Sequence, residues 1–289
     1  MRLGLSQALA DKAICGHQWW MDGVVQSDDW EKIGEGASAE VWALDDRRVL
    51  KLFRADVNDV PIALEQAAGQ WADAQGLAVA RPSGRIRLDG REGIMFERVH
   101  GIDMLTAILR KPFRMWRLIA RMARLQAQMH RMPGSEILPR QIDVLRHRIL
   151  RSQAGDAAIQ KAWRLAEILP TGDRLTHGDF HPGNLLLAER GMVVIDWAQA
   201  SSGMPAADVA RTELLLRFAG VGRKGASPLA ALITAHWYRH CYKRYSGMST
   251  AAINAWRLPV AVAWYRGQAG LPQERLARWI GRLVHAQPQ

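Results

Sequence analysis

The sequence predicts an α+β fold: an antiparallel sheet with one helix over residues 1–100, then a mainly helical part over 101–289. Three observations carry this. Alternating apolar runs broken by turn residues fill the stretch from Trp30 to Val99. Apolar residues at helical spacing dominate after Gly101. Between helical stretches lies one polar, turn-rich segment, His177-Gly178-Asp179-Phe180-His181-Pro182-Gly183-Asn184. It is followed by two short apolar runs, 185–187 and 193–195, and then Asp196-Trp197. The change of pattern near residue 100 is the expected domain boundary, and 289 residues suit one large domain or two small ones.

Residues 1–29 form an unassigned N-terminal extension. Residues 3–19 have the spacing of a short amphipathic helix, and Trp19-Trp20-Met21 has the look of a packing anchor. A strand then begins at Trp30 and runs into Gly34-Glu35-Gly36-Ala37-Ser38. Residues 39–44 alternate as a second strand, Asp45-Asp46 supplies a turn, and residues 48–53 form a third strand. A glycine loop across such a hairpin lets backbone amides approach phosphate, because no Cβ intervenes. Lys51 stands on an otherwise apolar strand, where a charge needs a partner or a ligand. Pro61 opens a helix expected to turn Ala63, Leu64, Ala67, Ala68 and Trp71 to the core and to end near Gly76. Glu65, early in it, is the natural partner for Lys51; the alternative is an exposed acid near the positive helix end. Strand signals follow at 84–88 and 93–99, separated by Asp89-Gly90.

Helices are expected at 104–109, 113–132, 142–153, 157–169, 206–219, 228–245, 251–268 and 272–285. Met115, Leu118, Ile119, Met122, Leu125 and Met129 share one face and read as core. Pro133-Gly134, Pro170-Thr171-Gly172 and the glycine-rich 220–225 mark breaks.

With 48% hydrophobic and 23% charged residues, the chain has the composition of a protein that buries a core. Cys15 and Cys241 are the only cysteines, which excludes a disulfide framework or a cysteine-based zinc site. Asp11 and Lys12 interrupt any signal-peptide core, and no apolar run approaches the roughly 18 residues of a membrane helix. The expectation is a soluble, cytoplasmic protein. The net charge of +11 is unevenly placed, with 12 Lys/Arg against 16 Asp/Glu in residues 1–100 and 27 against 12 beyond. A basic half suits nucleic acid, an anionic surface or an anionic substrate, or is only a solvated Arg-rich surface.

Two carboxylates and an amide, Asp179, Asp196 and Asn184, make an oxygen-only ligand set suited to Mg²⁺. A polar hairpin whose Asp and Asn serve only the turn backbone is the alternative. In order, the chain carries a glycine loop, a strand Lys, a helix Glu, His-x-Asp-x-x-x-x-Asn and a strand-terminal Asp. Phosphoryl transfer needs such parts: amides and Lys on the phosphates, Asn and Asp on the metal, a carboxylate by the acceptor hydroxyl.

Over residues 30–215 the sequence resembles the kinase-like phosphotransferase family of aminoglycoside and choline kinases. HGDFHPGNLL (177–186) and VVIDW (193–197) carry the resemblance. Protein kinases use His-Arg-Asp and Asp-Phe-Gly instead, so Gly178 and Trp197 point to the small-molecule branch. The resemblance implies a two-lobed protein-kinase-like fold using ATP and Mg²⁺. It implies Asp179 as the catalytic residue that orients the hydroxyl and takes its proton, and Asn184 and Asp196 as metal ligands. Lys51 would contact the α/β-phosphates and pair with Glu65. Gly34, Gly36 and Ser38 would cover the phosphates, Val41 and Val49 would flank adenine, and Phe96, Glu97 and Val99 would form the hinge. Asp208 matches a family Asp that caps a helix and braces the catalytic loop, and His177 and His181 read as structural. Ala39 stands in place of a third loop glycine, and Val49 in place of the usual Ala before the Lys.

The resemblance implies a small-molecule hydroxyl acceptor. Acids are scarce past residue 200 (Asp208, Glu213 and Glu274), so the acceptor is expected to be neutral or anionic rather than polycationic. Trp237, Tyr238, Tyr242, Tyr245, Trp256, Trp264, Tyr265 and Trp279 either line its pocket or pack the core. The alternatives are an antibiotic-resistance kinase acting on an aminoglycoside or macrolide, a basic nucleic-acid-binding protein, and a binding module without turnover. The second leaves Lys51, Asp179, Asn184 and Asp196 unexplained, and the third leaves every catalytic position filled without a use.

Overall fold

The structure is a computed structural model that describes residues 30–36, 38–219, 227–267 and 271–286. The N-terminal extension, Ala37 of the glycine loop and the 220–225 break lie outside the described residues. The chain divides into two compact units, one reaching to Ile102 and including Leu186–Gln199, the other made of Asp103–Leu185 and the chain from Ala200 onward. The 186–199 hairpin thus groups with the first unit although it lies far along the chain from it.

In the first unit β1 (Glu31–Glu35), β2 (Ala39–Ala43), β3 (Arg48–Phe53), β4 (Pro82–Leu88) and β5 (Arg91–Glu97) form a sheet in the order β1-β2-β3-β5-β4. All its pairings are antiparallel, and Val41, Lys51 and Ile94 lie side by side across it. Along β3, Leu50 and Leu52 are buried on one face. Phe53, on the Lys51 face, packs with Ala39, Ile62, Ile94 and Phe96, and Val49 lies against this cluster. The β3–β5 approach favours glycine at Gly93, where a Cβ would sit 2.7 Å from Leu50 Cδ1 and push that side chain aside.

Helix α1 (Asp59–Ala74) has Pro61 in its first turn but buries Ile62, Glu65, Ala68, Gly69 and Ala72. The expected stripe of Ala63, Leu64, Ala67 and Trp71 is only half-buried. Counting apolar residues alone turned the helix by one position, because its buried face carries a charge. The strands β6 (Gly101–Asp103), β8 (Leu185–Ala188) and β9 (Gly191–Val194) form a second sheet in the order β6-β8-β9. Val194 N–H donates to the Ala78 carbonyl (2.9 Å), Val79 bridges to Val194, and Trp197 is 1% exposed. These anchors on either side fix the backbone of Asp196.

The second unit contains α2 (Met104–Arg110), α3 (Met115–Met129), α4 (Gln141–Leu150), α5 (Asp156–Ile168) and α6 (Pro205–Leu214). After them come α7 (Pro228–Ser246), α8 (Thr250–Ala255), α9 (Arg257–Trp264) and α10 (Leu271–His285). Caps match local sequence. Asp103 accepts from Thr106 N–H (2.8 Å) to start α2, Pro205 and Pro228 open α6 and α7, and Gly247 at φ 75° ends α7. The helix expected over 251–268 is two. Pro259 has no N–H for the Ala255 carbonyl, so the chain breaks at Trp256, restarts at Arg257 and stops at Trp264. The expected 113–132 helix begins with a 3₁₀ turn (Pro112–Arg114), and α6 passes into a π turn at Leu215–Ala219. The short pair β7 (Arg174–Thr176) and β10 (Ser201–Gly203) is antiparallel. Like β6, each has three residues, too few for alternation to register.

Helix α6 is buried almost all round, including Asp208, Thr212 and Glu213. Among the described residues no helix is long and apolar enough to cross a membrane.

Candidate active site

In the first unit Lys51, Glu65 and Asp196 meet. Lys51 Nζ donates to Glu65 Oε1 and Oε2 (2.6 and 2.8 Å) and to Asp196 Oδ1 (3.0 Å). Burial alone would push the Lys51 ammonium down, but Glu65 and then Asp196 hold it above its ordinary value. Glu65 is 1% exposed, so the reading of it as an exposed helix acid fails. Asp196 has its carboxylate 42% exposed and φ at 63°, a left-handed conformation uncommon outside glycine and best tolerated by Asn and Asp. Such conformations cluster at functional positions.

The other expected nucleotide contacts lie in the same unit. The Gly36 amide donates to Ala39 O (2.8 Å) and the Ser38 carbonyl accepts from Arg54 N–H (2.9 Å), which closes the loop between β1 and β2. A Cβ added at Gly34 or Gly36 would meet only ordinary contacts, 3.5 Å to Val41 Cβ and 3.7 Å to Ala39 O. Among the described residues nothing demands glycine there. The residue type suits the close approach of a ligand instead. Val41 and Val49 are half-buried and Phe96 is buried. Glu97 is held by Arg190 (2.6 and 3.2 Å), and its amide donates to Arg81 O (2.8 Å), so a ligand meeting its backbone would find only the carbonyl. Val99 follows β5 and is half-buried.

The second unit holds Asp179 and Asn184. Asn184 Nδ2 donates to the Asp179 carbonyl (2.9 Å) and lies 3.4 Å from its Oδ2. The Asp179 amide donates to His177 Nδ1 (3.2 Å), and the Gly183 amide donates to His181 Nδ1 (3.0 Å). A neutral His181 with Nδ1 accepting carries its proton on Nε2, 3.5 Å from Asp179 Oδ2. Arg211 Nη2 lies 3.5 Å from Asp179 Oδ1. Burial would raise the Asp179 carboxyl, but His181 and Arg211 keep it below its ordinary value. It is therefore ionised at neutral pH, and its side-chain contacts are long enough to exchange for a hydroxyl.

Behind the loop lies a buried polar network. Asp208 accepts from the amides of Gly178 (2.7 Å) and His177 (3.3 Å), from Gln126 Nε2 (2.9 Å), and from His130 Nε2 (3.0 Å). Tyr242 O–H completes it at His130 Nδ1 (2.7 Å), and Tyr238 O–H donates to Gln126 Oε1. Burial would raise the Asp208 carboxyl, yet His130 and Gln126 pull it down to about 2. Asp208 braces the loop, but it is not a helix cap: the N-cap of α6 is Met204, with no side-chain bond.

Sequence reasoning missed Gln126, His130 and Arg211. The first two interrupt the apolar stripe of α3 at i, i+4 spacing. Arg211 is three residues from Asp208 on a helix otherwise almost wholly buried. Either pattern is a usable signal. The aromatic residues divide. Tyr238, Tyr242, Trp256 and Trp279 are core, whereas Trp264 lies under Arg211 with the guanidinium 4.9 Å from its ring centre.

This fold, an antiparallel sheet unit and a helical unit with these residues in this order, is kinase-like. Residues 29–245 match the model of the phosphotransferase enzyme family, to which the chain belongs. The structure is similar to amicoumacin kinase hAmiN in complex with AMP-PNP, Ca²⁺ and Ami, with 12% identity, 98% and 94% of the two chains covered and a TM-score of 0.57. It is also similar to a choline/ethanolamine kinase family protein from Mesorhizobium loti, at 14% identity, 97% and 94% coverage and TM-score 0.60. A third is aminoglycoside phosphotransferase APH(3'')-Id from Streptomyces rimosus, at 18% identity, 81% and 93% coverage and TM-score 0.55. No curated protein matches.

Proposed function

We propose that this phosphotransferase moves the γ-phosphoryl group of ATP, with Mg²⁺, to a hydroxyl of a small neutral or anionic molecule. The observation that carries the reading is Lys51, held at once by Glu65 and Asp196 on a strand beside the glycine loop. An ammonium fixed by two carboxylates is aimed and stays charged, as a phosphate ligand must be.

On this reading Lys51 binds the α/β-phosphates, Gly34, Gly36 and Ser38 offer backbone to the phosphates, Val41 and Val49 flank the base, and Phe96 belongs to the hinge. Glu97 and Val99 meet the adenine edge. The residues assigned to the metal fit a hard cation: Asp196 has one oxygen engaged by Lys51, and Asn184 uses its Nδ2 on Asp179, which leaves Oδ1 as the donor. When bound, Mg²⁺ neutralises charge on the phosphates. Asp179 holds the acceptor hydroxyl and receives its proton. Since its carboxyl is a weak base, orientation outweighs proton abstraction in its contribution.

Two of the three acids past residue 200 are unavailable to a polycationic acceptor. Asp208 is consumed by the loop, and Glu213, fully buried, is bound by Arg257 (2.6 Å) and Arg239 (3.3 Å). Two measurements test the reading. Full-length protein should show an Mg²⁺-dependent thermal shift with ATP, and an ATP-consumption screen over sugars, hydroxy acids, amino alcohols and antibiotics should reveal an acceptor. Absence of any nucleotide shift overturns it.

A further inference from the structure

Arg211 lies 3.5 Å from Asp179, Arg148 feels the charge of Asp179, and both arginines feel Arg266. Arg211, on α6, donates from Nε to the Gly178 carbonyl (3.2 Å) and has its guanidinium 4.9 Å from the ring centre of Trp264 at the end of α9. Arg148 is half-buried on α4, which packs against α9, and Arg266 is exposed just after α9. The two carriers touch. Ser152 Oγ donates to the Tyr265 carbonyl (3.4 Å), and a Cβ at Gly267 would lie 3.0 Å from Gln153 Cβ.

The carboxylates acting on Arg211 are Asp179 and Asp208, and Asp208 already takes four donors of the loop network. Burial first, then the like charges of Arg148 and Arg266, lowers Arg211 to about 10. Arg148 is lowered in the same way by burial and Arg266. Arg211 Nη1 is closed off from solvent with no hydrogen-bond partner among the described residues. An unused buried donor beside two further guanidiniums is unfavourable until an anion arrives, and guanidinium is the group that binds carboxylate or phosphate in a fork.

We propose that Arg148, Arg211 and Arg266 form the anion-binding wall of the acceptor pocket, so that the hydroxyl substrate carries a carboxylate or phosphate group. This rests on the reading of Asp179 as the residue that receives the hydroxyl. The arginines then hold the anionic end and leave the hydroxyl end at Asp179. A cationic acceptor would meet their repulsion instead.

The test uses four probes that each carry a hydroxyl: glycerol, glycerate, glycerol 3-phosphate and choline. Calorimetry on full-length protein should find binding of the two anions, none of glycerol or choline, and about tenfold weaker anion binding in Arg266→Gln, whose exposed side chain is not needed for folding. Arg211→Lys, which keeps the charge but loses the fork, should weaken the anions as well. The preferred anion, glycerate or glycerol 3-phosphate, tells a carboxylate site from a phosphate site. Anions binding no better than glycerol or choline would overturn the proposal. So would Arg266→Gln that leaves anion affinity unchanged or that weakens ATP alone. An ATP thermal shift on the same samples separates the two readings: a shift without anion binding removes only the anionic acceptor, and anion binding without a shift removes only the kinase.

Discussion

The Asp208 carboxylate accepts the amide of Gly178 at 2.7 Å, so a residue buried in α6 sets the backbone next to Asp179. The same carboxylate gathers Gln126 from α3 and His130 at its C-cap, which ties loop geometry to helix packing. All its partners are donors. Asp208→Asn presents an amide N–H₂ to at least one of them, and the charge is gone. The expected loss of stability is about 3 kcal/mol, within the range for breaking a buried hydrogen-bonded ion. Urea unfolding of wild type and variant measures it.

The pH dependence follows with a definite sign. The folded Asp208 carboxyl, at about 2, lies below its ordinary value of 3.8. Its contribution is therefore fully present above pH 4 and lost as pH falls from about 4 to about 2, amounting to about 2 kcal/mol. Thermal midpoints of wild type should fall across that window more steeply than those of Asp208→Asn. Parallel curves would mean that another group governs the acid limb.

Legibility of these features in the sequence tracked locality. The loop 177–184, Lys51, Glu65 and Asp196 stand out because residue type and order are themselves the signal. A Lys on an apolar strand and a polar cluster before an apolar run need no partner to be noticed. The strands of the first unit were readable for the same reason, through alternation and tight turns. Arg211 is different. On α6 it is one of many arginines in a basic half, and only the burial of nearly every neighbour distinguishes it. Gln126 and His130 were visible as interruptions of a stripe, yet their meaning depends on Asp208, about eighty residues away in sequence. The buried face of α1 was misplaced because Glu65 belongs to the core side.

Lys51 and Glu65 should show strong energetic coupling. Removing the ammonium in Lys51→Met leaves a carboxylate that is 1% exposed without its bidentate partner. The expected cost is about 3 kcal/mol, and Lys51→Met/Glu65→Gln should recover a large part of it. A double-mutant cycle in denaturant gives the coupling. Both variants are expected to lose nucleotide-dependent stabilisation, and additive stabilities would show that the pair is not a structural unit.

Asp179→Asn should keep the loop, since the Asp179 carbonyl and amide, not its carboxylate, make the shorter bonds to Asn184 and His177. ATP affinity is expected to be unchanged while kcat falls about 10²–10⁴-fold. In wild type the acid limb of kcat/KM should lie at or below the ordinary carboxylate value of about 4, because His181 and Arg211 hold the Asp179 pKa down. An inflection near 6 would assign the governing titration to another group.

Asp196 offers a separation of backbone strain from ligand chemistry. Its φ of 63° is tolerated by Asn and Gly and disfavoured for Ala. Asp196→Asn should fold with little change in stability, since the Lys51 contact of a carboxylate that is 42% exposed contributes little. Asp196→Ala should lose about 1 kcal/mol from the left-handed backbone. If Asp196 holds Mg²⁺, both variants raise the Mg²⁺ concentration for half-maximal ATP binding by about tenfold or more, regardless of that stability difference. Asn184→Ala should do the same through loss of Oδ1, without the backbone penalty. A Mg²⁺ requirement that follows the Ala-versus-Asn stability order, instead of the loss of the carboxylate, would remove Asp196 as a metal ligand and leave it as a strained partner of Lys51.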